Sequence, residues 1–261
     1  MAHSDATSDR TAVVIRCYEE LNDFLPPQRR KRDIRLAVSL PAPVRHIIET
    51  LGVPHTEVEL ILVNGASVGL EHPLHDGDRV SVYPRFEALD VTPLLRLRDR
   101  PLRETRFVAD AHLGALARGL RLLGFDTLFR NDFTDAAIVQ VAEQQRRIVL
   151  TRDRRLLMRR TVTHGLYLHA LRPKAQLHEV IQRLDLRRSA HPFIRCLRCN
   201  ALLEAVDKQV VVVQLEPDTA RSQQRFWRCT GCGRFYWQGS HYRRMRRLVQ
   251  ELLGPSMDWP P

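Results

Sequence analysis

Apolar positions along the first third of the chain recur with two different periods. Ala12-Val13-Val14-Ile15-Arg16-Cys17-Tyr18 predicts a strand, and Ile34-Arg35-Leu36-Ala37-Val38 alternates polar and apolar as a half-buried partner strand does. Pro43 opens a helix that sets Val44, Ile47, Ile48 and Leu51 on one face, and Gly52 ends it. Glu59-Leu60-Ile61-Leu62-Val63 predicts a third strand, turned by Asn64-Gly65, and Arg79-Val80-Ser81-Val82-Tyr83 a fourth after Asp76-Gly77-Asp78. The order strand, strand, helix, strand, strand over residues 11–89 describes a β-grasp. Residues 90–105, with Pro93, Pro101 and many arginines, read as an extended linker.

From Arg106 to Arg188 strands and helices alternate. Arg106–Ala109, Phe125–Phe129, Arg147–Thr151 and Leu166–Ala170 are predicted strands. Between them lie helices at His112–Leu123, with Leu113, Leu116, Ala117, Leu120 and Leu123 on one stripe, at Asp135–Gln145 behind a Thr134 N-cap, and at Arg154–Arg160. A last helix, Ala175–Leu186, turns Leu177, Val180, Ile181 and Leu184 inward. Such alternation implies a mostly parallel α/β sheet with helices on both faces. The segment 191–253 holds two cysteine pairs, and the β-branched run Gln209–Leu215 between them is expected to form part of a β-hairpin.

The cysteines change the picture most. Cys196-Leu197-Arg198-Cys199 and Cys229-Thr230-Gly231-Cys232 are two C-x-x-C knuckles, each able to turn two thiolates toward one tetrahedral ion. Four thiolates leave no open position, so the expected metal is a structural zinc in a ribbon. Cys17, the fifth cysteine, sits within a strand and is expected to be a buried small hydrophobe. Redox pairing is the alternative for the knuckles, but an unpaired fifth cysteine does not suit a secreted disulfide scaffold. Residues 1–10 are polar and lack the apolar core of a signal peptide, and no apolar run approaches the roughly 20 residues of a membrane span. The expectation is a soluble cytoplasmic protein that does not meet a membrane.

Charge points to a partner. The net charge is +11, most of it from arginine, whose planar fork pairs with phosphate better than lysine does. Arg118 and Arg121, one turn apart on a helix, with Arg152, Arg154 and Arg155 around Asp153, are candidate RNA-phosphate contacts. Near the second knuckle, Phe226, Trp227, Phe235, Tyr236 and Trp237 mix with arginines that include Arg243 and Arg244, a composition suited either to single-stranded RNA or, for the aromatics, to a small ribbon core.

Asp110 ends one predicted strand, Asp153 follows the end of another, and Asp135 opens the helix between them, with Asp132 a fourth candidate. In an open parallel sheet ligands bind beyond the carboxyl ends of strands. Carboxylates gathered there would hold Mg²⁺ or Mn²⁺ for phosphodiester hydrolysis. The alternative is that Asp135 and Asp153 simply cap their helices.

Two resemblances bear on this. Val63-Asn64-Gly65 with Leu74-His75-Asp76-Gly77-Asp78-Arg79-Val80 resembles the small ubiquitin-like sulfur carriers, but the segment runs on as Pro84-Arg85-Phe86-Glu87-Ala88-Leu89 without a terminal Gly-Gly, so a docking or packing module, with a protein as the partner if it docks, is expected rather than sulfur transfer. The run from Asp110 to Thr127, Arg147-Ile148-Val149-Leu150-Thr151-Arg152-Asp153, and the cysteine pairs with Tyr236-Trp237-Gln238-Gly239-Ser240-His241 together resemble the Mut-seven C-terminal RNase family. That resemblance implies a PIN-like nuclease domain (106–188) with a zinc ribbon (191–253) and, in some members, a ubiquitin-like N-terminal domain. It implies a metal-dependent ribonuclease with Asp110, Asp135 and Asp153 as acidic ligands, acting on RNA such as tRNA or ribosome-associated RNA. A non-catalytic RNA or ribosome adaptor is the competing reading. No G-x-x-x-x-G-K-[ST] loop is present to suggest an ATPase.

Overall fold

The computed structural model describes residues 12–39, 41–85 and 105–254, so the expected linker lies outside the described residues except for Thr105. The chain divides into two compact units, residues 1–103 with 153–167, and residues 104–152 with 168–261.

Unit 1 is built on β1 (Ala12–Cys17), β2 (Ile34–Ala37), β3 (Ala42–Pro43), α1 (Val44–Thr50), β4 (Leu60–Val63), β5 (Ala66–Ser67), β6 (Pro73–Leu74) and β7 (Arg79–Tyr83). The main sheet runs β2-β1-β7-β4-β5, and β3 pairs with β6 apart from it. The first and last long strands, β1 and β7, lie parallel at the centre with Ile15 opposite Val80, while their outer neighbours are antiparallel. This is the β-grasp topology the pattern predicts. Alternation fixes which face is dry: Val13, Ile15 and Cys17 are buried on β1, Val80 and Val82 on β7, and they close on Val44, Ile47 and Ile48 of α1. Asn64 and Gly65 both take positive φ, as a two-residue hairpin turn between β4 and β5 requires.

Unit 2 begins with β8 (Arg106–Ala109), α2 (Gly114–Leu122), β9 (Asp126–Phe129), α3 (Asp135–Gln145) and β10 (Ile148–Thr151). The strands are parallel in the order β10-β8-β9, with Val108 facing Val149 on one side and Leu128 on the other. The chain passes from β8 to β9, then crosses back over β8 to reach β10. Right-handed crossovers therefore put α2 and α3 on opposite faces. Leu116, Ala117 and Leu120 of α2 and Ile138 of α3 are buried as that arrangement demands. Helix α2 starts two residues later than the periodicity suggests, because Leu113 N–H donates to Asp110 O and residues 110–113 are used in a turn.

The chain next contributes α4 (Arg154–Leu157) and β11 (Gly165–Tyr167) to unit 1. There the Glu57 carboxylate accepts from Tyr167 N–H, and Val162 O lies 2.8 Å from His55 Nε2. Back in unit 2, α5 (Pro173–Arg183) packs on α2, so closely that a Cβ on Gly119 would stand 2.8 Å from Leu177 Cδ2.

The remainder of unit 2 is the cysteine-bearing segment: β12 (Leu203–Val206), α6 (Lys208–Val211), α7 (Pro217–Ser222), β13 (Phe226–Cys229), β14 (Phe235–Trp237) and α8 (Ser240–Leu253). Strands β12-β13-β14 form an antiparallel sheet. The valine run is not a strand of it. Asp207 accepts from Gln209 N–H at 2.8 Å and caps α6, and a 3-10 turn over Val212–Gln214 follows. Val211 is buried, whereas Val213 is 83% exposed, so the run has neither a partner strand nor a second dry face. A local cap outweighs β propensity where packing does not enforce it. Among the described residues no helix is long and apolar enough to cross a membrane.

Candidate functional site

The knuckles meet. All four Sγ atoms of Cys196, Cys199, Cys229 and Cys232 lie within 4.8 Å of one another, and among the described residues this is the group of His, Cys, Asp or Glu side chains placed to hold a metal ion. Cys196 Sγ is 3.7 Å from Cys232 Sγ and Cys199 Sγ 3.3 Å from Cys229 Sγ. Thiolates about 2.3 Å from a tetrahedral zinc stand roughly 3.8 Å apart, so the set fits that ion. Backbone N–H groups of Cys199, Gly231 and Cys232 point at sulfur at 3.4 Å, which stabilises thiolate. Gly231 is needed for the turn, since a Cβ there would meet Ala201 Cβ at 2.9 Å.

Tyr236 stands 3.0 Å by its hydroxyl from Cys196 Sγ. Burial pushes the Cys196 thiol up, but hydrogen bonds from Tyr236 and from backbone N–H of Cys199 and Arg198 bring it down to about 6. Burial, with hydrogen bonds to the other sulfurs, pushes the Cys199 thiol up to about 12. A divalent ion would remove the reason for holding that proton.

The first knuckle is fastened to the parallel sheet. Arg121, expected as a phosphate contact, is 3% exposed and faces inward. Its Nε donates to Thr127 O at 2.9 Å and its Nη1 to Leu197 O and Arg198 O at 3.1 and 2.8 Å. Those are the two carbonyls inside Cys-Leu-Arg-Cys, so Arg121 is a brace and is closed to RNA. Asn200, which follows Cys199, donates to Asp126 and accepts from Thr127 N–H. Asp126 is also paired with buried Arg147. Residues 191–195 run along the end of α2, where His191 and Phe193 N–H donate to Leu123 O and Leu122 O.

At the other end of the strands, Asp110 follows β8. Its N–H donates to Leu150 O, its Oδ1 accepts from Ala111 N–H at 2.6 Å, and its Oδ2 accepts from the Thr151 hydroxyl at 2.6 Å. Thr151 is fully buried at the end of β10, so the half-buried carboxylate has a fixed orientation. The strand order reverses here, which is where an open parallel sheet leaves a crevice.

Residues 105–249 match the family model described as the Mut7-C RNAse domain, and residues 10–90 match that described as Mut7-C ubiquitin. The chain belongs to the Mut7-C RNAse domain family. Its N-terminal domain is ubiquitin-like, and the rest of the Mut7-C arrangement is mixed α/β with the four-cysteine cluster near its end. No curated protein matches the chain. Among solved structures, SAMP1 from Haloferax volcanii is 17% identical over 30% of this chain and 98% of that one, with a TM-score of 0.24.

The other sequence-derived residues of this Mut7-C chain are distributed as follows. Asp135 is exposed at the start of α3, behind Thr134, whose hydroxyl accepts from Ala137 N–H. Asp153 is exposed and accepts from Arg155 N–H at 2.8 Å as the N-cap of α4. Asp132 is exposed and held by both Arg130 Nε and Nη2, which lowers its pKa. Arg154, also expected at RNA, donates instead to Phe24 O, with its guanidinium over the Phe24 and Tyr167 rings. Arg118, Arg152, Arg155, Arg243 and Arg244 are exposed. Phe226 and Trp227 are buried as ribbon core, while Trp237 is 37% exposed. The sequence alone assigns no role to Thr151, Asn200 or Arg198, although Thr151 and Arg198 lie within the motifs and Asn200 directly follows one, a signal that was there to use.

Proposed function

We propose that this protein is a metal-dependent ribonuclease with a PIN-like nuclease core. It hydrolyses RNA phosphodiesters, as an endonuclease, at an acidic Mg²⁺ or Mn²⁺ site. The observation that carries the reading is Asp110. Its carboxylate ends the central strand at the reversal of strand order and is aimed by the Thr151 hydroxyl. Membership of the Mut7-C RNAse domain family supports the same reaction class.

Mg²⁺ is commonly held by one or two carboxylates, with water and substrate phosphate supplying the remaining ligands. A single positioned aspartate is therefore enough to begin a site that RNA completes. In this reading Asp110 is the principal ligand; Asp135 and Asp153 are the further acids it calls for, although among the described residues they form no ligand group with Asp110, and Asp132 would first have to leave Arg130. A bound divalent ion supplies an activated water and offsets charge developing on the phosphate. The chain's own residues orient and hold: Thr151 fixes Asp110, and exposed Arg118, Arg152, Arg155, Arg243 and Arg244 contact RNA phosphates. The zinc set keeps the ribbon folded and takes no part in the chemistry. The ubiquitin-like domain docks a protein partner, and the setting is the cytoplasm, with tRNA or ribosome-associated RNA as substrate.

The test is cleavage of labelled RNA by the full chain with Mn²⁺. Asp110→Asn, which keeps the side-chain shape, is expected to abolish it; cleavage unchanged in that variant overturns the site. Two observations favour a non-catalytic RNA adaptor: Asp132 is spent on Arg130, and Asp153 on its own helix. That reading predicts binding without cleavage at any Mg²⁺ or Mn²⁺ concentration.

A further inference from the structure

A cleft of about 430 Å³ opens beside the first knuckle, lined by Arg118, Leu197, Arg198, Arg234 and Tyr236. Its volume falls within the range of roughly 300–1,000 Å³ usual for small-ligand sites. Arg118 comes from α2, Arg198 from inside the first knuckle, Arg234 from just after the second, and Tyr236 from β14. All three arginines are exposed, and among the described residues none of them forms an ion pair with a carboxylate.

The bland account is that these arginines only balance the metal centre. Four thiolates around a divalent ion carry two net negative charges. Arg121, buried against the knuckle, offsets one of them at close range. Three more guanidiniums then exceed the remaining charge by two, and that excess faces solvent across an open cleft. Guanidinium forks match phosphate oxygens in a bidentate way. The apolar part of the lining has a matching role. Tyr236, fixed by its hydroxyl at Cys196, and Leu197 form a wall against which a ribose or base can lie.

We propose that this cleft is a phosphate subsite for an RNA strand. Arg118, Arg198 and Arg234 hold a phosphodiester there, and the Tyr236 ring receives the adjoining nucleoside. The proposal rests on the RNA-directed reading above. It adds a site on the zinc side of unit 2, whose lining shares only Arg118 with the arginines named for RNA above.

The test uses the zinc-loaded full chain, without Mg²⁺ or Mn²⁺, and a short labelled oligouridylate. Arg118→Ala with Arg234→Ala is expected to weaken binding about tenfold or more and to reduce the slope of log affinity against log salt by about 0.7 for each phosphate no longer neutralised. A control, Arg29→Ala with Arg32→Ala in unit 1, removes the same charge and is expected to leave binding and slope unchanged. Zinc content, measured by release with a thiol reagent, checks that the ribbon persists. If the double variant loses zinc, Arg118→Glu alone gives the same readout from α2, outside the knuckles. Unaltered affinity and slope, equal weakening in the control, or no binding by the wild type overturns the subsite. Binding with the expected dependence but no cleavage with Mn²⁺ would instead remove the ribonuclease reading and leave the subsite standing. Cleavage with unchanged binding in the arginine variants would do the reverse.

Discussion

Asn200 donates from Nδ2 to Asp126 Oδ1 at 2.7 Å, while its own Oδ1 accepts from Thr127 N–H at 3.0 Å. One side chain, placed directly after a cysteine of the four-thiol cluster and held at positive φ, therefore clamps the start of β9 from both sides. Arg147 completes the arrangement with Nη1 2.7 Å from the same carboxylate. The ribbon and the parallel sheet share polar groups that neither can satisfy alone, so they are expected to unfold together.

That sharing makes a pH prediction. Burial acts to raise the pKa of Asp126, but hydrogen bonds from Arg147 and Asn200 outweigh it and hold the carboxyl below its ordinary value. The unfolded chain thus takes up this proton at higher pH than the folded one. The stabilisation is complete above about pH 4, the ordinary aspartate range, and is lost as pH falls through the lower folded value. Asp126→Asn is expected to cost about 3 kcal/mol at neutral pH, because the Arg147 side chain, 5% exposed, loses its counter-charge. Urea denaturation at neutral and acid pH checks both parts. An acid slope identical in wild type and variant would exclude Asp126 as its source.

Arg121 offers a second test, of the brace. Burial lowers its pKa, but it is bound to three carbonyl oxygens, two of them within the first knuckle. Arg121→Met keeps the bulk and removes the donors. Hydrogen bonds from charged groups contribute about 1.5–3 kcal/mol each, so a loss of about 3 kcal/mol is expected even after relaxation. Zinc affinity should fall about 10–100-fold, as it does when groups that orient metal ligands are removed. Chelator competition measures this. An unchanged zinc affinity would mean that the knuckle holds its shape without the arginine.

The β-grasp order, the strand–helix alternation and the cysteine set were legible because each rests on local periodicity or spacing. Val13, Ile15 and Cys17 announce a half-buried strand wherever the chain carries them. Arg121 was not legible. An arginine at i+3 from another on a helix reads as a solvated face, and only the tertiary position of the knuckle gives it carbonyls to meet. The same holds for Arg154, whose ring and carbonyl partner Phe24 lies 130 residues away in sequence. The valine run failed for the opposite reason, since propensity pointed to a strand and no partner strand was there to receive it. Asp110 was placed correctly at a strand end, but its partner Thr151 is 41 residues away and follows only from strand pairing.

Two glycines with nearly the same backbone make a controlled pair. Gly65 has φ +86, and a methyl group placed on it would find nothing within 4 Å, so Gly65→Ala should cost only the conformational term, about 1 kcal/mol. Gly124 has φ +92, and a Cβ there would overlap His191 O. Gly124→Ala must also displace the turn segment that leads into the cysteine-bearing region, so a loss of at least about 3 kcal/mol is expected. Thermal denaturation of both variants separates the two contributions. Equal losses would show that the 191–195 segment gives way freely.

The Thr151 hydroxyl donates to Asp110 Oδ2, so in the proposed site its part is to position that carboxylate. Thr151→Val retains the volume of this fully buried residue and leaves Asp110 Oδ1 on Ala111 N–H, so Asp110 stays in place but is free to turn. A merely structural role predicts lower stability with unchanged metal dependence. A positioning role predicts cleavage reduced about 10–100-fold and a higher Mn²⁺ concentration for half-maximal rate, with stability changed by no more than about 2 kcal/mol. Thr151→Ser restores the donor at the same atom and is expected to recover most of the rate. If serine fails to rescue while the fold is intact, the hydroxyl is not what orients Asp110 for its metal.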